Sequence, residues 1–356
     1  MRPDRTGRPS RLTIARVSVR SAPMTPRRIA SLLVAIAFVA FVVLHRHDIG
    51  TTTRVLRHAE LGWVAFGALL STSLMVLYVF TRRAALVAVG VHLPLVSLVR
   101  AGVVAHSLNI VAKSGGVAGL SAYRREAVRA GQPGYRVTAG YMLVVVMSDI
   151  AFALILFTAL VVLLFDGQFS TADAIAAVVF TGYFVLVLAA VASATKSRAS
   201  VRWIYSLPSR LRSRMFGLLH RVHTSNHSHD AADELFDSVQ LVRRRPSAMV
   251  PALAGTLAIE AVSVAIVWVS LRAFGVRVGL TVPLVGYAVS TLFSIVGVLP
   301  AGLGFAEASL GAVLVSYSVS GPVAAAVVIA QRTFEVWIPL AAGALAASVP
   351  VGEGER

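Results

Sequence analysis

The sequence predicts an all-α, polytopic integral membrane protein, and three observations carry that expectation. Of the 356 residues, 57% are hydrophobic and only 14% are charged, against about 25% charged in an average soluble domain. Apolar runs recur along the whole chain at the length that crosses a bilayer, about 17–25 residues. Two of these runs are interrupted by glycine, proline or charged residues, which predicts helices that dip in and return. The sum is about seven spanning helices plus two broken or re-entrant helical hairpins.

Residues 1–28 hold eight arginines and one acid, Asp4, with little apolar periodicity. They are expected to form a basic, disordered cytoplasmic tail. Met24 offers a second start, which leaves Arg27 and Arg28 as the flank of the first span. The spans then follow as 29–44 and 61–80, the latter closed by Arg82-Arg83. The interrupted run 84–119 contains Pro94, Arg100, His106, Asn109 and Lys113. Spans 137–165 and 174–194 follow, separated by a short acidic loop at 166–173. Residues 196–245 carry ten basic and four acidic residues and read as a cytoplasmic loop. Leu211, Met215, Leu218, Leu219 and Val222 give its middle the spacing of a surface-lying amphipathic helix. A span at 248–271 leads into the second interrupted region, 282–319, and the last span is 322–349. Residues 350–356 form a C-terminal tail.

Lys and Arg bias sets the orientation. If the tail, the segment after span two, the 196–245 loop and the C-terminus share one side, that side holds 25 basic residues and the opposite side five. Both termini are therefore expected in the cytoplasm. The formal charge of +17 reflects this placement rather than a nucleic-acid surface. On the same count, 84–119 starts and ends inside, whereas 282–319 starts and ends outside. Two broken hairpins are expected to enter from opposite faces, an arrangement used by transporters with a site near the bilayer midplane.

The second hairpin turns at Leu299-Pro300-Ala301-Gly302-Leu303-Gly304-Phe305-Ala306-Glu307. Pro300 removes a backbone donor and the glycines allow conformations that a helix does not, so a helix stops and restarts with Glu307 one turn in. Gln331, Arg332 and Glu335 lie in the last span, and Arg332 is placed to meet Glu307 and Glu335 if that helix packs on the hairpin. Such a pair serves equally as a clamp between helices or as a substrate site. In the first hairpin, Lys113 beside Gly115 and Gly116 suits an anionic head group, because glycines expose backbone N–H groups next to a cation. Asp149 and Glu260 sit within spans and, with Glu335, are candidates for proton coupling or for a structural role, or for pairing with Arg100 or Lys113.

No cysteine is present, which excludes disulfides and thiolate chemistry. His220, His223, His227 and His229 lack the pattern of a metal site, so neither a metal nor a cofactor is expected. Enzyme signatures are missing too: no Gly-x-Ser-x-Gly, no His-Glu-x-x-His and no Walker loop, so no catalytic residue is assigned and the protein is not expected to be an enzyme.

The stretch Leu299–Glu307, followed by Gln331-Arg332 and by Trp337, Pro339 and Gly343, resembles the lysylphosphatidylglycerol synthase transmembrane-region family, also called flippase-like domain proteins. Gly115-Gly116-Val117-Ala118-Gly119, then Tyr123-Arg124 and Arg129-Ala130-Gly131, are similar to the family as well. The resemblance covers about residues 29–349. Family members commonly carry a proline in the first motif, where this chain has Lys113-Ser114. The bacterial multiple peptide resistance factor joins this domain to a soluble aminoacyl-transfer domain that is missing here, so synthase activity is not carried over. The resemblance implies an inner (plasma) membrane protein that binds and moves an anionic or glycan-linked lipid between leaflets. The alternative is an accessory or scaffold subunit for a membrane transferase. The substrate-binding set expected on this basis is Lys113, Gly115, Gly116, Pro300, Gly302, Gly304, Glu307 and Arg332.

Overall fold

The computed structural model describes residues 55–111, 116–165, 246–296, 302 and 304–348, with isolated positions between 178 and 189. The basic tail, the run 29–44, the loop 196–245 with its four histidines, the C-terminal tail, Lys113, Gly115 and Pro300 lie outside the described residues, as does most of 174–194. The described residues form helices and turns, with no strand among them.

Nine helices follow in chain order among these residues: α1 (Leu61–Ala88), α2 (Leu95–Val111), α3 (Val117–Arg129), α4 (Gly134–Phe165), α5 (Val250–Ala273), α6 (Thr281–Val296), α7 (Phe305–Ser316), α8 (Gly321–Arg332) and α9 (Ile338–Ser348). A π-helical turn, Thr333–Trp337, joins α8 to α9. Four stretches are long and apolar enough to cross a membrane, namely Leu61–Ala88, Arg136–Phe165, Ser247–Ala273 and Gly321–Ser348. Helix α7, at 12 residues, is only about 18 Å long at 1.5 Å per residue, well short of a hydrocarbon core of about 30 Å. The last span reaches its length only because the π turn joins α8 to α9 without a break.

α1 and α5 form an antiparallel pair along their whole length. The Glu60 N–H, just before α1, donates to the Ala273 carbonyl at the end of α5 (2.9 Å), and Trp63 meets Trp268 edge to face at 5.5 Å. Toward the other end, a Cβ at Gly255 would collide with the Thr81 side chain. Small residues at such crossings let membrane helices approach closely, since lipid offers no hydrophobic drive between them.

Two apolar clusters mark the two ends of the bundle. The first gathers Leu86 and Val89 of α1, Leu98 and Ala105 of α2, Leu120 and Tyr123 of α3, Val137 and Val144 of α4, and Ala252 of α5. The second gathers Leu156 and Leu163 of α4, Leu271 of α5, Val285 and Leu292 of α6, Leu310 of α7 and Val327 of α8. α4 and α5 thus run from the first cluster to the second. The hairpin α2–α3 begins and ends at the first, and the hairpin α6–α7 begins and ends at the second. The expectation of two hairpins entering from opposite ends matches this geometry.

The outward faces are apolar. Phe66, Leu69, Val76 and Phe80 of α1 and Leu154, Phe157 and Leu164 of α4 are exposed on the protein surface. In water such a surface would drive association; in a bilayer it faces the solvent it was made for.

One boundary differs from the sequence reading. Arg82-Arg83 does not close the second span, because α1 continues through both to Ala88. The first hairpin accordingly starts at Leu95 rather than near residue 84. Arg82 turns inward, over the rings of Tyr78 and Tyr141, and only Arg83 is exposed.

Gly255→Val should lower the thermal stability of the detergent-purified protein, since overpacking costs about 1–3 kcal/mol. Gly311→Ala, where an added Cβ meets nothing within 4 Å, should leave the melting temperature nearly unchanged.

Candidate functional site

The second hairpin restarts at Gly304, whose φ of 84° precedes the first turn of α7. The Gly304 N–H donates to Glu307 Oε2 at 2.6 Å, so the carboxylate caps the helix it belongs to. Gly302 has a φ of 67°, and a Cβ there would run into Ser294 of α6. Left-handed backbone and close approach together require glycine at this position. Ser290 of α6 adds a hydroxyl bond to the Ala306 carbonyl (3.2 Å), which ties the two arms together.

The other oxygen of Glu307 faces the end of α8. Arg332 Nε lies 2.8 Å from Glu307 Oε1, with 12% and 26% of the two side chains exposed. The contact is an ion pair without hydrogen-bond alignment, since Arg332 Nε and Nη2 have no hydrogen-bond partner among the described residues. Glu307 and Arg332 therefore meet as the sequence suggested. Glu335 does not complete a triad of direct contacts. It accepts a 2.5 Å bond from Gln331 Nε2 and lies in hydrogen-bonding reach of Ser263 on α5.

Glu335 sits inside the π turn, and the turn has a visible cause. Pro339 has no N–H, so the backbone ladder is broken one turn before it. The Ile338 N–H bonds to the Thr333 carbonyl in π register, and the Ser71 hydroxyl of α1 donates to the Phe334 carbonyl at 2.5 Å. π turns of this kind recur at functional sites. One turn on, the Ser107 hydroxyl of α2 donates to the Pro339 carbonyl (3.0 Å), and Gly343 leaves the room that Ser107 occupies.

Glu260, on α5, is buried and accepts a 2.8 Å bond from the Tyr287 hydroxyl of α6. Its hydrogen-bond partner is thus a phenol rather than Arg100. Asp149 lies halfway along α4, on a face that the described residues leave open. The charges of Glu260, Arg82 and Glu335 all act on the Tyr78 hydroxyl of α1.

In the first hairpin, Gly116 is the residue before α3, and its Cβ position abuts the Tyr141 ring of α4. Asn109, near the end of α2, ties the tip down. Its Oδ1 accepts the Gly119 N–H at 2.9 Å, and its Nδ2 donates to the Tyr141 hydroxyl at 2.8 Å.

A family model described as the lysylphosphatidylglycerol synthase transmembrane region matches residues 28–343. The chain belongs to this lysylphosphatidylglycerol synthase transmembrane-region family. The name is that of the membrane part alone, and it gives this multi-pass protein a lipid-related role in the membrane. No curated protein matches the chain.

Within this family member, the residues that sequence reading missed are Arg82, Tyr78, Tyr141, His106 and Asn109. Tyr78 and Arg82 are four apart and so share a helix face, and the apolar run continuing past Arg83 was the remaining signal.

Removing Glu307 takes away both an ion pair and a cap. Glu307→Ala should therefore destabilise the purified protein by the lower end of the roughly 3–5 kcal/mol seen for broken buried pairs. Glu307→Gln, which keeps an oxygen for the Gly304 N–H, should lose less. Thermal unfolding in one detergent ranks the two.

Proposed function

We propose that the protein binds an anionic or glycan-linked lipid and moves it between the leaflets of the cell's inner (plasma) membrane, with both termini in the cytoplasm and no chemical conversion of the lipid. The observation that carries this reading is the pair of broken hairpins entering from opposite ends of one bundle, with a charged, hydrogen-bonding interior between them. Opposed broken helices around a midplane site are the frame on which alternating access is built. A head group can cross through such an interior while its acyl chains stay in lipid.

Roles follow from charge and position. Lys113 and Arg332 attract phosphate, and the N–H groups near Gly115, Gly116, Gly302 and Gly304 donate hydrogen bonds to its oxygens, with Pro300 as part of the same substrate-binding set. The Glu307–Arg332 pair is a gate that an anion opens by competing for the guanidinium. Asp149, Glu260 and Glu335 release the head group by taking and returning protons, since binding has to be reversible.

The test is reconstitution into liposomes with fluorescent phospholipids and glycan-linked lipids, reading leaflet exchange with and without protein. Exchange well above protein-free vesicles is expected, reduced roughly tenfold, or about 1.4 kcal/mol, in Lys113→Ala and in folded Glu307→Gln. Specific binding without exchange would replace this reading with an accessory role beside a membrane transferase. Formation of a new lipid from a soluble donor would make the protein a transferase instead.

A further inference from the structure

Arg82 is a cation in the interior of a membrane bundle, and its surroundings are aromatic. Its guanidinium carbon lies 4.8 Å from the centre of the Tyr141 ring and 5.7 Å from that of Tyr78, and the Tyr141 hydroxyl is in hydrogen-bonding reach of it. Among the described residues no carboxylate comes within ion-pair distance of it. Glu307 is taken by Arg332, Glu335 by Gln331, and Glu260 by Tyr287. Ring faces attract a guanidinium, yet they neutralise no charge, and an intramembrane cation ordinarily has a counter-charge or lines a polar path.

The groups around Arg82 are also short of partners. Arg82 Nε, His106 Nε2 and the Tyr123 hydroxyl are sealed from solvent and have no hydrogen-bond partner among the described residues. Tyr123 is fully buried. His106 stacks on Tyr78 with ring centres 4.2 Å apart, and Tyr123 packs on Tyr141 at 5.6 Å. Arg82, His106 and Tyr123 therefore gather round the same two tyrosines. Arg82 and Tyr123 can each donate a hydrogen bond, as can His106 in one tautomer. A buried set of donors round one uncompensated guanidinium is complementary to an acceptor-rich anion, and the planar fork of arginine fits phosphate in two-point fashion.

We propose that Arg82, cradled by Tyr78 and Tyr141 with His106 and Tyr123 beside it, is a binding site for the phosphate of a lipid head group, behind the turn of the first hairpin. The proposal rests on the lipid-handling reading and adds to it a specific residue and a specific chemical group. Tyr141 links the site to the hairpin tip, because its ring touches Gly116 and its hydroxyl is held by Asn109. A phosphate at Arg82 thereby lies behind the glycine turn rather than on the protein surface. The Glu307–Arg332 pair at the other hairpin already has its charges matched, so the two hairpins differ: one holds a paired cation and the other an open one.

The test measures binding separately from transport. Native mass spectrometry in detergent would follow phosphatidic acid, diacylglycerol of the same chains, and inorganic phosphate. The expected result is that phosphatidic acid binds and the other two do not. Arg82→Met should weaken phosphatidic acid binding at least tenfold, Arg82→Lys less, and Tyr123→Phe several-fold with an unchanged melting temperature. Tyr123→Phe decides the matter if the Arg82 variants do not fold. Unchanged binding in Arg82→Met, or in Tyr123→Phe where only that variant folds, overturns the site. Equal binding of inorganic phosphate overturns its assignment to a lipid. Leaflet exchange measured on the same preparations keeps the two readings apart. Exchange that survives folded Arg82→Met with unchanged binding removes the site and leaves transport. Binding that needs Arg82 without any exchange removes transport and leaves the site.

Discussion

A backbone that breaks inside a bilayer has to find its hydrogen bonds within the protein, because lipid supplies none. In this chain each described break is met by a side chain. Glu307 takes the Gly304 N–H where α7 restarts, and Asn109 takes the Gly119 N–H in the first turn of α3. Ser71 and Ser107 serve the Phe334 and Pro339 carbonyls around the π turn. The donors and acceptors come mostly from a different helix than the break they satisfy. Satisfying the backbone and fixing the tertiary arrangement are therefore one requirement, and the hairpins cannot be straightened or moved without orphaning these groups.

The same requirement fills the interior with polar groups. Tyr78 of α1 lies within electrostatic range of Glu260, Arg82 and Glu335, while Arg332 joins α8 to the second hairpin. Each group alone is costly at membrane depth. Together they put polar contacts inside the bundle, at Glu260–Tyr287, Gln331–Glu335, Glu307–Arg332 and Arg82 with its tyrosines, among helices whose outer faces are apolar. In the lipid-moving role proposed above, such charges would exchange partners, which the loosely aligned Glu307–Arg332 contact allows.

How much of this was legible in the sequence depended on whether the signal was local. The second hairpin was legible because Gly302, Gly304 and Glu307 combine a break and its cap within six residues. The opposed entry of the hairpins followed from counting basic residues on either side of apolar runs. Arg82 was misread because an arginine doublet after twenty apolar residues looks like a membrane flank. What overrides that appearance is tertiary: the rings of Tyr78 and Tyr141 hold one arginine of the two, and Tyr141 is far away in sequence. The π turn was equally hidden, although Pro339 inside an apolar helix marked its place. The relation of Glu335 to Ser263 and of Glu260 to Tyr287 depends on helix packing, which no spacing along one chain encodes.

The central claim is that each hairpin begins and ends at one face of the bundle, and that the two faces are opposite. The chain has no cysteine, so single introduced thiols report on one position at a time. His92 and Ala130 flank the first hairpin, Leu280 and Ser320 flank the second, and all four are exposed. Labelling with a membrane-impermeant maleimide in sealed, uniformly oriented vesicles is the direct measurement. The account predicts that cysteines at 92 and 130 label together from one side, and those at 280 and 320 together from the other. Labelling of the two ends of either hairpin from opposite sides would contradict it.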